Sequence, residues 1–315
     1  MQVALIGLGM VSGTYADAIA HAPEISLALV HARTEESRSA FLAAHPGLGA
    51  KGAQSVQEIA DDPAIDFVIV TTPPNARAEV VHPLAAAGKP ILMEKPVERS
   101  LPAATALVAH CEAVGVPLGI VLQHRARPIL ADLRHEMQTL GPLRMAEVNI
   151  PWWRPQSYYD APGRGTYARD GGGVLINQAI HTLDLMLTLT GPVAEVSAML
   201  ATTDLHRMEA EDFTCAGLRF ASGAVGQLFA TTASFPGRGE TITLHFAQGS
   251  AHLEAGLLTV DRQDGTSASY GQSAASGAGA DPMAFTSDWH RAVIEDFAQS
   301  LTTQRPPLIP GRAAL

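Results

Sequence analysis

Near the start of the chain an apolar run, Val3-Ala4-Leu5-Ile6, leads into Gly7-x-Gly9-x-x-Ser12, and a helix-forming stretch from Tyr15 to His21 follows. Gly7 permits a tight turn out of a strand, Gly9 lets backbone approach a pyrophosphate, and the small Ser12 allows close packing of helix on strand. The helix N-terminus then offers N–H groups and partial positive charge to phosphates. A strand in front and a helix behind set this apart from an ordinary Gly-rich turn, so we read it, Met10 and Val11 included, as a dinucleotide-binding turn. Lys95, in Glu94-Lys95-Pro96, directly follows an apolar strand candidate. Ligands of open α/β sheets bind at such carboxyl ends, and Pro96 keeps Lys95 extended. Asn177, His181 and Asp184 fall on one stripe of a helix rich in Val, Leu and Ile. Polar groups in so apolar a helix must find partners or cost stability. His181 is therefore either a satisfied core residue or a base for an alcohol proton.

These residues need a scaffold, and the first part of the chain alternates strand and helix. Strand candidates are Val3–Ile6, Ser26–His31, Asp66–Thr71, Pro90–Met93 and Pro117–Leu122, with helices such as Ala76–Ala87 and Leu101–Ala113 between them. Short continuous apolar runs are expected of a parallel sheet buried on both faces. We expect a Rossmann doubly wound parallel sheet over residues 1–122, followed by an α+β domain over 123–315 with an open, mainly antiparallel sheet. The second domain has a helix from Pro128 to Gly141, a strand from Arg144 to Pro151 and a helix from Val174 to Leu189. Further strands are expected at Val193–Thr202, Phe213–Phe220, Ala224–Thr232, Thr241–Phe246, Ser250–Glu254 and Leu257–Asp261. Gly265 to Gly279 reads as a mobile Gly/Ser/Ala-rich loop, and a last helix spans Ser287 to Thr302.

The chain has 315 residues, 47% of them hydrophobic, and a net charge of −10. That charge argues against nucleic acid as a partner, which needs a basic face. No apolar run is long enough to span a bilayer, and the start lacks a basic segment before its first apolar run. Cys111 and Cys215 read as reduced, buried thiols. A cytoplasmic location is expected. His206, Glu209, Glu211 and Asp212 fit no standard metal-ligand spacing and read as a solvated turn. No metal is expected.

Thr72-Pro73-Pro74, Glu94-Lys95-Pro96, Asp170-Gly171-Gly172-Gly173 and Asn177-x-x-x-His181-x-x-Asp184 occur in this order after the Gly-rich turn. With them the chain resembles the glucose–fructose oxidoreductase/inositol dehydrogenase (Gfo/Idh/MocA) family over nearly its whole length. The resemblance implies a nicotinamide cofactor, and hydride transfer at a secondary alcohol or ketone of a sugar, sugar derivative or cyclic polyol. It implies Lys95 and His181 as catalytic residues, Lys95 bonding the reacting hydroxyl. It further implies cofactor contacts from Gly7, Gly9, Met10, Val11, Ser12, Thr72, Pro73, Asn75, Glu94 and Lys95. Substrate contacts fall to Lys95, Gln123, Trp153, Arg154, Tyr159, Arg164, Asn177 and His181. Many family members have Asp at the position of Asn177, so the carboxylate–His pairing is absent here. The family also continues past a segment like Pro307–Leu315 into another helix, which this sequence lacks. Two alternatives stay open: an NAD-dependent glycosidase-type redox relay, and a non-catalytic sugar sensor that binds the dinucleotide.

An acid at the end of the second strand would hold the ribose hydroxyls of NAD. Val30-His31-Ala32-Arg33-Thr34 has none there, and Arg33 with Arg38 suits a 2′-phosphate. NADP(H) is therefore preferred, with NAD(H) possible. The loop from Trp152 to Tyr167 is rich in aromatics and Arg. It suits a polyhydroxylated ring or carboxylate, or else a lid or subunit contact. A homodimer or homotetramer through the C-terminal sheet is expected.

Overall fold

The computed structural model describes residues 1–272 and 277–315. The chain runs β1 (Gln2–Ile6), α1 (Ser12–Ala20), β2 (Ser26–His31), α2 (Glu35–Ala44), β3 (Lys51–Gly52), α3 (Val56–Asp61), β4 (Phe67–Val70), α4 (Arg77–Ala86), β5 (Ile91–Glu94), α5 (Leu101–Ala113), β6 (Leu118–Val121), α6 (Ile129–Leu140) and β7 (Leu143–Pro151). Two short helices, α7 (Gln156–Tyr159) and α8 (Tyr167–Asp170), precede α9 (Ile180–Thr190). Then come β8 (Val193–Ala201), β9 (Phe213–Phe220), β10 (Val225–Thr231), β11 (Thr241–Phe246), β12 (Gly249–Glu254), β13 (Leu257–Arg262), β14 (Ser267–Gly271) and α10 (Asp288–Thr303). The chain separates into two units, residues 1–123 with 287–315, and residues 124–286.

Among the described residues, the first unit is built on a parallel sheet of order β3-β2-β1-β4-β5-β6. This is the expected doubly wound sheet. The interior strands β4, β5 and β6 are buried along their whole length, which is why they read as unbroken apolar runs. The strand order reverses between β1 and β4, so the crevice outside their carboxyl ends is where such sheets take a ligand. Ser and Thr side chains start three helices: Thr34 on α2, Ser55 on α3 and Ser100 on α5.

The last helix was expected in the second domain, but it belongs to the first unit. Its apolar face carries Trp289, Val293, Ile294 and Phe297, all buried. The Phe297 ring packs edge-on against Phe67 at 5.3 Å between centroids. It also fills the space beside Gly119 in β6, where a Cβ would come within 2.7 Å of it. The following segment then bonds to β6, with the Ile120 N–H donating to the Ile309 carbonyl at 2.9 Å.

The second unit carries a sheet of order β14-β13-β12-β11-β7-β10-β9-β8. Its pairs are antiparallel except the β7–β10 pair. Leu130 and Leu133 of α6 and Leu185 and Leu189 of α9 share a core with Val148, Ile150, Leu244 and Leu258 of the sheet. Val196, Met199, Leu200 and Val225 are exposed. Cys215 is exposed too, against expectation, because β9 alternates and turns Thr214 and Ala216 inward instead. The expected loop over 265–279 is corrected in part. Ser267–Gly271 is an edge strand paired to β13, a pairing made by backbone that Ser and Ala side chains signal weakly. Residues 273–276 of that loop lie outside the described residues.

The expected helix over 174–189 is not uniform either. Leu175–Ala179 form a π-helical turn and α9 starts only at Ile180. If Phe297 anchors the last helix to the first core, Phe297→Ala should lower unfolding stability by about 3–5 kcal/mol. Urea denaturation followed by fluorescence measures this, and an unchanged midpoint would take α10 out of that core.

Candidate active site

In the first unit Gly7 has a φ of +103°, and a Cβ there would lie 2.8 Å from the backbone of Thr71 and Thr72. Only glycine fits such a position. The turn is wedged between neighbours: the Gly7 N–H donates to the His31 carbonyl at 2.9 Å, and the Thr71 hydroxyl donates to the Gly7 carbonyl. Gly9 is the opposite case, with no neighbouring atom within 4 Å of the place a Cβ would take. Helix α1 starts at Ser12, earlier than the expected Tyr15, and the Ser12 N–H and hydroxyl both donate to the Gly9 carbonyl at 3.0 and 2.7 Å. A glycine locked by its neighbours, then one facing open space at a helix N-terminus, fits a dinucleotide pyrophosphate.

The loops after β4 and β5 are tied together by Arg77, which is only 1% exposed. Its Nε donates to the Thr72 carbonyl at 3.2 Å and its Nη2 to the Lys95 carbonyl at 3.0 Å. Burial lowers its pKa to about 10, against the pull of Glu94, so it stays charged. Glu94 accepts from the Tyr15 hydroxyl at 2.7 Å and from the Lys95 N–H at 3.0 Å. Lys95 is thus held at both backbone ends, and its peptide bond to Pro96 is cis. The ring of His290 stands edge-on to Tyr15, 4.0 Å from the Glu94 carboxylate, and burial pushes its pKa down to about 4. Sequence reasoning missed Arg77, Tyr15 and His290 as the supports of Lys95. A signal existed for Arg77, which shares the buried stripe of α4 with Val81 and Leu84.

At the end of β2 the two expected phosphate ligands differ. Arg33 is exposed. Arg38 is buried, and donates to the Ala32 carbonyl at 2.7 Å and to Gln54 at 3.0 Å. Its guanidinium is hydrogen-bonded within the chain to neutral oxygens. Gln123, the last residue of the unit's first segment, is buried.

In the second unit His181 is buried at the start of α9, its ring 5.1 Å from that of His124. His124 Nε2 accepts from Arg127 at 2.8 Å, and Arg127 donates to Glu240 at 2.5 Å. Asp184 is the partner of Arg125, which grips both its carboxylate oxygens. Asn177 donates to the carbonyls of Gly172 and Gly173 at 2.8 and 3.0 Å, closing the π-helical turn onto the glycine run. Glu211 clamps the same run: its carboxylate accepts from Gly173 and Leu175 N–H at 3.0 and 3.1 Å. A Cβ at Gly173 would fall 1.7 Å from the Glu211 carbonyl, so that position admits no side chain.

Part of the aromatic and Arg loop is internal. Arg154 is 2% exposed and donates to the carbonyls of Trp153, Gly277 and Gly279 at 2.7, 2.8 and 2.6 Å. Its guanidinium staples two backbone segments together. The Tyr159 hydroxyl pairs with Thr232 at 2.7 Å. The Trp153 ring lies near His206 and Phe235, and Arg164 stacks over Tyr158 at 4.2 Å. The expected solvated turn at 206–212 is also corrected. His206 and Asp212 are a fully buried pair at 2.7 Å, and His206 Nε2 meets the Arg154 carbonyl at 2.8 Å. Both ring nitrogens face acceptors, so both carry protons. Among the described residues no group of three or more His, Cys, Asp or Glu could hold a metal.

Residues 1–121 match the family described as "Oxidoreductase family, NAD-binding Rossmann fold", and residues 134–252 match the "GFO/IDH/MocA C-terminal domain". The chain belongs to the Gfo/Idh/MocA family. It is 29% identical over 236 residues to 1,5-anhydro-D-fructose reductase of Ensifer adhaerens, covering 69% of this chain and 65% of that one. It is 32% identical over 199 residues to the myo-inositol dehydrogenase Hyg17 of Streptomyces leeuwenhoekii, covering 61% and 56%. The chain thus matches between 56% and 65% of the length of these curated relatives. Among solved structures it is similar to the WlbA dehydrogenase of Bordetella pertussis in complex with NADH and UDP-GlcNAcA. There the TM-score is 0.82 at 27% identity, covering 100% of this chain and 91% of that one. The family described over residues 1–121 is one with an NAD-binding Rossmann fold, and the Gly7 turn lies within that stretch.

The His206–Asp212 pair gives this Gfo/Idh/MocA chain a pH-dependent joint. Burial alone would depress the His206 pKa, but the Asp212 hydrogen bond and the Arg154 carbonyl outweigh it and hold it above the usual value. Burial would raise Asp212, and His206 with Thr203 outweighs that and holds it low. A raised His pKa gives stability complete below about pH 6.5 and lost as pH rises through the folded value. A depressed Asp pKa gives stability present above about pH 3.9 and lost as pH falls through its folded value. His206→Gln should therefore lower Tm most between these limits, with the gap to wild type narrowing in alkaline buffer. Thermal melts across the range measure it, and a gap independent of pH would contradict the pairing.

Proposed function

We propose that the protein is an NAD(P)-dependent oxidoreductase acting on a secondary hydroxyl, or the matching ketone, of a sugar or cyclic polyol. The observation that carries this is the turn in which Gly7 is locked against Thr71 and Gly9 is open at the start of α1. The substrate class is supported by the names of the relatives, a 1,5-anhydro-D-fructose reductase and a myo-inositol dehydrogenase. A bound nicotinamide dinucleotide supplies the hydride acceptor or donor. Gly7, Gly9, Met10, Val11 and Ser12 would hold its pyrophosphate, and Thr72, Pro73 and Asn75 would line its path. Lys95 donates a hydrogen bond to the reacting oxygen and stabilises its developing negative charge. His181 removes the hydroxyl proton, and Asn177 orients the turn that leads to it. The exposed apolar side chains Val196, Met199, Leu200 and Val225 support a homo-oligomer built on the eight-stranded sheet. The exposed Cys215 thiol fits a reducing, cytoplasmic compartment.

His181→Ala should lower kcat by about 10²–10⁴-fold and leave dinucleotide affinity nearly unchanged. A panel of sugars and polyols, followed by absorbance of the reduced cofactor, finds the substrate and measures the loss. Turnover at the wild-type rate would remove the assigned base.

NADP(H) preference is assigned to Arg33, the exposed cation at the end of β2. Arg33→Ala should weaken NADPH far more than NADH in fluorescence titrations, and the difference should shrink with added salt. Tighter NADH binding by wild type, with a neutral Arg33→Ala, would reverse the assignment.

A further inference from the structure

Behind His181 lies a second histidine whose protonation is set by its partners. A guanidinium has donors and no acceptor, so His124 Nε2, 2.8 Å from Arg127 Nη2, must present its lone pair. Its proton then sits on Nδ1, and the ring is neutral. Protonating Nε2 would break this bond and set two cations side by side. The Glu240 carboxylate is 3.9 Å from that nitrogen, too far to bond it, and its near oxygen is engaged by Arg127. His124, Arg127 and Glu240 are all buried.

We propose that His124, clamped by Arg127 and Glu240, is a positioning residue for His181, a neutral imidazole that fixes the neighbouring ring and leaves it able to accept a proton. The two rings lie 5.1 Å apart and are tilted by 36°. Two ion pairs of this unit involve residues next to the two histidines in sequence or space. Arg127 with Glu240 stands on the His124 side, and Arg125 with Asp184 stands one turn along α9. The Arg127–Glu240 pair that holds His124 cancels internally, so the clamp itself adds a buried, shaped support and no net charge. Removing one member of the Arg127–Glu240 pair exposes His181 to the other, and the sign of the effect depends on which is removed. The inference rests on His181 being the proton acceptor proposed above.

The test is an imidazole ¹⁵N NMR titration of the full chain, with pH–rate profiles alongside. In wild type, His124 should show a protonated Nδ1 and an unprotonated Nε2, with no titration around neutrality. Glu240→Gln leaves Arg127 uncompensated and should lower the His181 midpoint by about one pH unit. Arg127→Gln leaves Glu240 uncompensated and should raise it by about the same amount, and the double variant should return close to wild type. The acid limb of kcat should follow each shift. A protonated Nε2 on His124 in wild type overturns the proposal without any variant having to fold. So do single variants that lose activity while the His181 midpoint stays put. Full turnover by His181→Ala instead overturns the proposed base, and the role of His124 with it, whereas a wrong tautomer overturns the role of His124 alone.

Discussion

Arg77 stays charged and is buried, and the loops at the carboxyl ends of β4 and β5 are arranged around that fact. A buried cation is tolerated only when paired and hydrogen-bonded, and removing a partner from such a group costs about 3–5 kcal/mol. Its donors reach the Thr72 and Lys95 carbonyls, so the loops after β4 and β5 cannot move independently. Glu94 favours its charged form and also accepts from the Lys95 N–H. Tyr15 donates to that carboxylate, and the neutral His290 stands edge-on to Tyr15. The Thr71–Thr72 backbone in turn closes on Gly7. One desolvated charge thereby links the Gly7 turn to the lysine after β5, because the carbonyls it engages belong to Thr72, whose backbone lies against Gly7, and to Lys95.

The second unit uses histidines in opposite states. His206 meets two acceptors and must be a cation, whereas His124 meets a guanidinium and must be neutral. Hydrogen-bond chemistry dictates both before any charge is considered, since imidazole presents a donor or an acceptor at each nitrogen. The His206 cation, with Asp212, joins the turn at 203–212 to the Arg154 segment. The neutral His124 lies against His181, where a cation would oppose protonation of its neighbour. Glu211 and Asn177 fasten the glycine run from both sides and accompany a π-helical turn, a local irregularity common at functional positions.

Much of the architecture was legible because its determinants are local. The buried strands read as apolar runs, and the strand–glycine–helix order marked the turn at Gly7. The polar residues were less legible. Arg38 and Arg154 look like ligand-binding cations in the sequence, yet both are engaged by carbonyls of this chain. His206 and Asp212 look like a hydrophilic turn, yet they are fully buried. A charged side chain in a sequence carries no mark of whether its partner will be solvent, ligand or backbone.

What the sequence by itself determined is therefore the order and type of the elements, the doubly wound sheet and the need for glycine at position 7. Each of these depends on residues within a turn or strand of one another, where periodicity and backbone sterics act. Tertiary structure decided that α10 returns to the first core, that Cys215 faces outward and that Asp184 pairs with Arg125. It also decided which cations remain exposed, leaving Arg33 outside while Arg38 turns inward. The physical reason is that these outcomes are settled by partners remote in the chain, such as Gly277 for Arg154 and Glu240 for Arg127. Burial and hydrogen-bond satisfaction are properties of those meetings, and they exist only once the chain has folded.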